Sequence, residues 1–441
     1  PVRRQPTDAT FTPDGKNLFV TSLIPGDRAD ADTVAAYVSI IQSSSWEKTK
    51  DIQLTNGSNA LRDIGVTLDG RYILVAHNIG RFQAPTTQIA QGWMNTSALA
   101  VIDAQSQRYI TSVILDLPER GSVLPWGLWL DENDIYINFS GTHEFAQINQ
   151  KNFFSALVAN KNKDVLTYNT GFMPPLTEKV SIPGNGPRGI AGYNNKICVL
   201  GYFTDTIHIY DSETKILDTH ILNKDLQNNK KRRGEIYFHD AEKCLQKWQS
   251  CASCHPEARA DGMNWDLLND GFGNPKNCKS MLLAHKTPPA MSTGIRPNAE
   301  TAVRAGFKHI QFTRVPEEHA QAVDEYLKSL TPIPGPEIID GKLSTAAQRG
   351  KNLFSELGCS GCHPAPLYTD KQQHQIGEKG QFDKNNIWDT PSLVEAWRTP
   401  PYLHDGRCAT LREVITVEKI GLDAPLAKDQ VNDLVAFLRS L

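Results

Sequence analysis

Along residues 1–220 apolar and polar positions alternate in short runs, and each run carries a turn-forming group. FTPDGKNLFVTS (11–22), VTLDGRYILVAHN (66–78), LDENDIYINFS (130–140) and GYNNKICVLGY (192–202) share this form. A period of two turns one face of a strand inward, and PDG, LDG, DEND and YNN supply the tight reversal. Each stretch therefore predicts a half-buried hairpin. Second hairpins are predicted at ALAVIDAQSQRYITSVIL (98–115) and TIHIYDSETKILDTHIL (206–222). The unit recurs roughly every 55–65 residues, which suits four-stranded blades. Beyond about Lys230 the period changes. HAQAVDEYLKSL (319–330) and KDQVNDLVAFLRSL (428–441) carry apolar residues three and four apart and predict helices. STAAQRGKNLFSEL (344–357) opens on a Ser cap and stops at Gly358, and the Pro-rich TPIPGP (331–336) predicts a linker.

The blades resemble the repeats of YVTN-type seven-bladed β-propellers; a β-sandwich with similar hairpins is the alternative. Four blades are legible, and a ring of seven needs more strand than this segment holds. Either further blades precede Pro1, or the ring is smaller or incomplete. The helical part is duplicated. RGEIYF (233–238) matches RGKNLF (349–354), CASCHPEA (251–258) matches CSGCHPAP (359–366), KTPPAMSTG (286–294) matches RTPPYLHDG (398–406), and VDEYLKSL (323–330) matches LVAFLRSL (434–441). The order is the same throughout, with offsets of 116, 108, 112 and 111. The predicted fold class is thus multidomain β + α, with β blades over 1–230 and helical modules over 231–333 and 334–441.

Length and composition agree with this division. A chain of 441 residues is too long for one core. A formal charge of −3 gives no reason to expect nucleic acid or an anionic membrane as partner. No run of eighteen apolar residues predicts a membrane span. PVRRQPTDAT has no apolar core of a leader, so the chain is expected to start after a cleavage site or inside a longer precursor.

Four of the eight cysteines lie in 251-CASCH-255 and 359-CSGCH-363. Cys-x-x-Cys-His is the attachment signature of c-type haem. Two thiols three positions apart on a helical turn share one face, so both can add across the vinyl groups of one porphyrin. The next residue, His, supplies the proximal imidazole. A zinc knuckle, a redox dithiol and coincidence are the alternatives. Chance alone gives about 0.004 matches in a chain of this composition. Zinc wants four clustered ligands, whereas these pairs sit in separate repeats. Two covalently attached haem c groups are therefore expected, on Cys251, Cys254 and His255 and on Cys359, Cys362 and His363. Such attachment happens outside the cytoplasm, which predicts a periplasmic or cell-surface protein. Cys244 and Cys278 flank the first motif as a disulfide or as buried free thiols. Cys198 is expected in the core of a strand.

With these motifs, WDTPSLVEAWRTPPYLHDGRCATLREVI (388–415) is similar to the "PTLRN…TAPYFHDG…TLEEAV" block of the bacterial di-haem cytochrome c peroxidase/MauG family. The resemblance spans about 231–441. It implies two all-α cytochrome c-like domains facing each other, often with calcium between them. Asn277 falls at the family's calcium-binding Asn, and Thr399 and Pro401 fall where backbone carbonyls complete that site; capping of a turn is the other role open to Asn277. His404 matches a histidine that braces the second haem.

Departures from the family pattern matter as much. Where the distal ligand of the second haem is Met or Tyr, this chain has Glu418, either a hard ligand favouring ferric iron or a solvated side chain. The catalytic glutamate near the first haem has no counterpart. His309 stands in its segment, with His285 and His239 as further candidates for a distal iron ligand or as packed residues. Met291 and Ser292 occupy the place of the family's inter-haem tryptophan, leaving Trp248 and Trp265 as candidate relays. Three functions follow. The first is a peroxidase-like oxidoreductase whose propeller docks an electron donor, such as a small redox protein, or a protein substrate. The second is a di-haem electron carrier, and the third a propeller binding module with a redox-sensing haem domain.

Overall fold

The computed structural model describes residues 1–84, 94–224, 229–268, 273–377, 379–380 and 382–441. The first half builds four antiparallel sheets of four strands each. They are β1–β4 (Pro6–Phe11, Asn17–Ser22, Tyr37–Gln42, Glu47–Gln53) and β5–β8 (Ser58–Val66, Tyr72–Gly80, Asn95–Asp103, Arg108–Ile114). The others are β9–β12 (Pro125–Leu130, Asp134–Phe139, Glu144–Asn149, Thr177–Ser181) and β13–β16 (Pro187–Tyr193, Lys196–Gly201, Thr206–Asp211, Leu217–Ile221). Every sheet runs in chain order, and each of the four predicted turn segments folds as the first hairpin of its sheet.

The first strands pack in succession, β1 on β5, β5 on β9 and β9 on β13. Among the described residues β1 and β13 share no comparable contact, so the sheets form an arc with no closed barrel. Phe19, Val38, Ile40, Leu61, Ile73 and Val75 fill the space between the first two sheets. Leu74, Val101, Ile135, Ile137 and Phe153 fill the next. Phe153 comes from α1 (Gln150–Ala159), a helix between β11 and β12 that the sequence reading does not anticipate; Asn149 caps it through Asn152 N.

A carboxyl pair lies on the first strands of this arc. Asp63 on β5 accepts from Leu128 N on β9 at 2.9 Å, and Asp8 on β1 accepts from Ile64 N at 3.2 Å. Burial first, then the facing Asp8, pushes the Asp63 carboxyl well above the usual carboxylate range. The folded pKa is raised, so the contribution is complete below about pH 4 and is lost as pH rises through the folded value. Stability should fall by up to about 1.4 kcal/mol per pH unit within that window. Denaturation midpoints of Asp63→Asn, which mimics the protonated acid, should lack this slope. An equal slope in both proteins would remove Asp63 as its source.

The second half is helical, with α2 (Lys230–His239), α3 (Cys251–Cys254), α4 (Ala299–His309), α5 (Glu317–Lys328), α6 (Thr345–Glu356), α7 (Cys359–Cys362), α8 (Leu411–Thr416) and α9 (Lys428–Leu438). α2 packs along α5 and α6 along α9. The matched glycines lie at these crossings. A Cβ on Gly234 would stand 1.8 Å from Ala322 O, and one on Gly350 1.9 Å from Asp433 O. Phe238, Val303, Phe307, Val323 and Leu327 form the core of one module, and Phe354, Leu411, Val431, Leu434 and Phe437 that of the other. The duplicated KTPP and RTPP loops repeat their backbone turns: Leu283 and Glu395 have φ of 60° and 57°, Met291 and Leu403 of 74° and 73°. No described helix is long and apolar enough to cross a membrane.

One rim of the arc meets the helical half, namely the rim carrying the links between second and third strands and between sheets. Ala29 N donates to Gly406 O at 2.9 Å, Gly121 N to Gln246 O at 3.0 Å, Ala241 N to Gly141 O at 2.9 Å and Arg232 Nη2 to Tyr202 O at 2.7 Å. The turns between first and second strands necessarily occupy the opposite rim.

Candidate functional site

Both Cys-x-x-Cys segments form a single helical turn that stops at the histidine. Ser250 N donates to Ser253 Oγ at 3.1 Å at the start of α3, and Gly358, at φ 75°, precedes α7. His255 and His363 leave helical geometry at φ −119° in both copies. His255 Nδ1 lies 2.9 Å from Arg259 O, and His363 Nδ1 lies 2.9 Å from Tyr368 O. A carbonyl only accepts, so each Nδ1 carries the proton and each Nε2 keeps its lone pair. This is the tautomer that an axial imidazole needs. Burial lowers the pKa of both rings, which favours the neutral ligand form. Burial also pushes the Cys251 thiol up to about 12.

The surroundings of the two turns differ. Asn95 on β7 donates to Cys254 Sγ at 3.2 Å, and Gln311 donates to Cys251 Sγ at 3.3 Å. Cys278 Sγ stands 3.5 Å from His255 Nδ1. Asp261 is fully buried, accepts from Trp265 Nε1 at 2.8 Å, and is pushed by burial up to about 7. Cys244 and Cys278 are free thiols, so the disulfide reading does not hold; Cys278 lies against Cys254 and His255 instead. Cys198 is on β14, half-buried. In the second module, Cys362, Asp370 and His374 are the one group of His, Cys, Asp and Glu among the described residues close enough to hold a metal ion. That makes three ligands, one of them a thiol of the second Cys-x-x-Cys-His motif, where a structural zinc takes four.

The other predicted site residues are scattered. His309 ends α4 in an exposed position. His285 is buried with Nε2 3.0 Å from Asp324 Oδ1, and Asp324 also takes Arg304 at 2.6 Å. His239 is buried, with Nδ1 2.9 Å from Glu235 O. None of these three bonds reaches Cys251, Cys254 or His255. Glu418 is half-buried and pairs with Arg407 at 2.9 Å. Trp248 is buried near Gln246, its Nε1 donating at 3.0 Å.

A seam joins the two modules. Asn277 N donates to His404 O at 2.7 Å, and Asn264 Nδ2 donates to Asp405 O at 2.7 Å. His404 stacks on Trp388 with centroids 3.7 Å apart and has Nε2 2.6 Å from Asp383. Lys276 reaches Asp383 at 3.1 Å across the seam. Asn277 and Pro401 both flank Gly406, whose added Cβ would stand 2.7 Å from Asn277 Nδ2 and 3.1 Å from Pro401 Cγ. The Asn277 amide nitrogen is turned to Asn264 Oδ1 at 3.2 Å. Thr399 closes the adjacent turn onto Ala396 O.

The deepest tie is Arg259 to Glu395. Nε and Nη2 each donate at 2.8 Å to one carboxylate oxygen, and the side chains are 8% and 1% exposed. Ile333 N adds 2.6 Å to the same carboxylate. Sequence reasoning missed this pair, the orienting carbonyls of Arg259 and Tyr368, and the Asp383–His404–Trp388 group. The blades touch the same region. Arg62 donates to Glu257 Oε1 at 2.5 Å, and Trp126 lies between the guanidiniums of Arg62 and Arg188, 4.0 and 4.1 Å from its ring.

No family model matches the chain. The chain is similar to hydrazine synthase subunit gamma of Kuenenia stuttgartiensis, 27% identical over 274 residues, covering 48% of this chain and 77% of that one. Cytochrome c551 peroxidase of Nitrosomonas europaea is 26% identical over 41% of this chain and 60% of its own length, so the chain spans less than two thirds of it. The methylamine utilization protein MauG of Methylorubrum extorquens is 24% identical over 47% of this chain and 76% of its own. A solved structure of K. stuttgartiensis hydrazine synthase matches half of the chain at 24% identity and a TM-score of 0.45. At this low identity, the relatives support a di-haem cytochrome c peroxidase/MauG-like family and a haem-based oxidoreductase for this chain.

Proposed function

We propose that the chain is a periplasmic or cell-surface di-haem oxidoreductase of the peroxidase kind. Its proposed parts are a propeller-type arc over 1–230 and haem modules over 231–333 and 334–441. One observation carries the reading: at two duplicated positions a thiol pair on one turn precedes a histidine whose Nδ1–H is held by a backbone carbonyl. Cys251, Cys254 and His255 would hold one haem; Cys359, Cys362 and His363 would hold the other. Bound haem supplies one-electron exchange at iron.

The chain's own residues divide the roles. His285 bonds Asp324 through Nε2, His239 bonds the Glu235 carbonyl through Nδ1, and His309 faces solvent. In the proposed reading the first site has an open face for a small oxidant such as peroxide. Glu418 is paired with Arg407, and the second site is assigned to electron supply. Asn277 Oδ1 with the carbonyls of Thr399 and Pro401 would supply a neutral oxygen set suited to calcium. The arc would dock the electron donor or a protein substrate, since Asn95 and Arg62 place it directly against the first attachment turn.

A pyridine haemochrome assay with intact mass should find two haem c groups on exported protein, and metal analysis should find calcium. Cys251→Ala/Cys254→Ala and Cys359→Ala/Cys362→Ala should each remove one haem. The loaded protein should give a high-spin ferric signal that shifts with peroxide. Protein without haem would end the proposal, and two low-spin haems indifferent to peroxide would make it an electron carrier.

A further inference from the structure

The first strand of each sheet breaks register once against the second. The breaks fall between Pro6 and Ala9 on β1, Asn59 and Asp63 on β5, Pro125 and Leu128 on β9, and Pro187 and Ile190 on β13. Irregularities of this kind re-aim side chains. Arg62, Trp126 and Arg188 lie in the last three breaks and converge: the Trp126 ring is 4.0 Å from Arg62 Cζ and 4.1 Å from Arg188 Cζ. Tyr202 also packs on Arg188, its ring 3.9 Å from Cζ. Rings attract the charge but leave its N–H groups to find oxygen acceptors elsewhere.

Two carboxylates reach this group, and each is bonded to another arginine. Glu235 on α2 pairs with Arg232 at 2.9 Å, and Glu257 pairs with Arg62 at 2.5 Å. Both act on Arg188 through space, yet its Nε and Nη2 are buried and have no acceptor among the described residues. Arg232 Nε is a third such donor, and Arg232 Cζ is 5.1 Å from the same Tyr202 ring. His239 adds no charge, because burial lowers its pKa to about 3. Burial lowers Arg188 only to about 10, so it stays protonated at neutral pH. Nε and Nη2 form the side-on fork of a guanidinium, which fits both oxygens of one carboxylate. Arg259, Arg28 and Arg349 give this same fork to Glu395, Asp30 and Asp433 at 2.6–2.8 Å.

We propose that the Arg188 fork is a binding site for a small free carboxylate, seated where the first strands of the arc meet α2. A two-oxygen anion matches Nε and Nη2, and it balances three guanidiniums that face two carboxylates. Formate and acetate are the least bulky members of the class. Arg62 joins this group to Glu257, two residues after His255, so the anion binds next to the first Cys-x-x-Cys-His turn. The site is built from arginines and aromatic rings alone and stands apart from the haem reading.

The test uses the full chain with acetate as the probe, chloride holding the ionic strength constant. Acetate should raise the melting temperature of the parent saturably. Arg188→Lys keeps the charge but not the fork, and should weaken the apparent acetate affinity about tenfold or more. Arg349→Lys, at an exposed fork already held by Asp433, should respond as the parent does. A crystal of the unmodified protein grown in acetate should place both carboxylate oxygens on Nε and Nη2 of Arg188, a result that does not depend on any variant folding. No saturable rise in the parent, or equal rises in the parent and Arg188→Lys, would overturn the proposal. Water, a haem propionate or no acceptor at the fork in that crystal would overturn it as well.

Discussion

Replacing Glu395 with leucine is expected to cost about 3–5 kcal/mol, the loss typical of a buried ion pair stripped of one partner. The change leaves the Arg259 guanidinium between the modules with no counter-charge, and it also removes the acceptor of Ile333 N. The consequence extends to the site, because Arg259 O holds Nδ1 of His255. Loss of the side-chain anchor should loosen that carbonyl and broaden the absorption of the haem proposed at His255. Urea denaturation followed by helical circular dichroism measures the cost. Removing both charges in Arg259→Met/Glu395→Leu should recover most of it, since paired apolar replacements of buried ion pairs are often neutral. A single variant within about 1 kcal/mol of the parent would mean that the pair is effectively solvated.

Gly350→Ala should destabilise the second module, and Gly234→Ala the first. An added Cβ at Gly350 meets Asp433 O at 1.9 Å and its carbonyl carbon at 2.6 Å, so the helices must separate. Overpacking of this kind costs about 1–3 kcal/mol and occasionally more, and backbone yields less readily than a side chain. Alanine returns about 1 kcal/mol of helix propensity, which is insufficient here. Gly306 in α4 is the internal control, because its added Cβ meets nothing within 4 Å. Gly306→Ala should therefore stabilise by about 0.5–1 kcal/mol. Equal effects at Gly306 and Gly350 would show that propensity alone governs both sites. Thermal melts of the three variants settle the comparison.

The periodic elements were legible in the sequence because their signals are local. The PDG and LDG turns and their alternating flanks specify hairpins within a dozen residues, and the Ser344 cap and Gly358 stop bracket α6. The two Cys-x-x-Cys-His motifs were legible for the same reason, each being five consecutive positions. Helix α1 was not, since QKNFFSALVA buries little besides Phe153 and Leu157 and lies between two strands of one sheet. Arg259 and Glu395 lie 136 residues apart in the chain, and no pattern within either module marks them as partners. The orienting groups for His255 and His363 are backbone carbonyls, which any residue type supplies. The flanking positions of Cys244 and Cys278 suggested a bond that the fold does not make, because each cysteine settles near a different part of the first motif.

The one-sided docking of the sheets restricts where this chain can change length. Residues near Ala29, Gly121, Gly141 and Tyr202 are spliced by backbone bonds into the helical half, so an insertion there would prise the two halves apart. The Pro13–Gly15 and Leu68–Gly70 reversals carry no such bonds to the helical half and point the other way. Extra loops, tags or grafted epitopes belong on that outer face, where the chain can lengthen without disturbing either Cys-x-x-Cys-His turn.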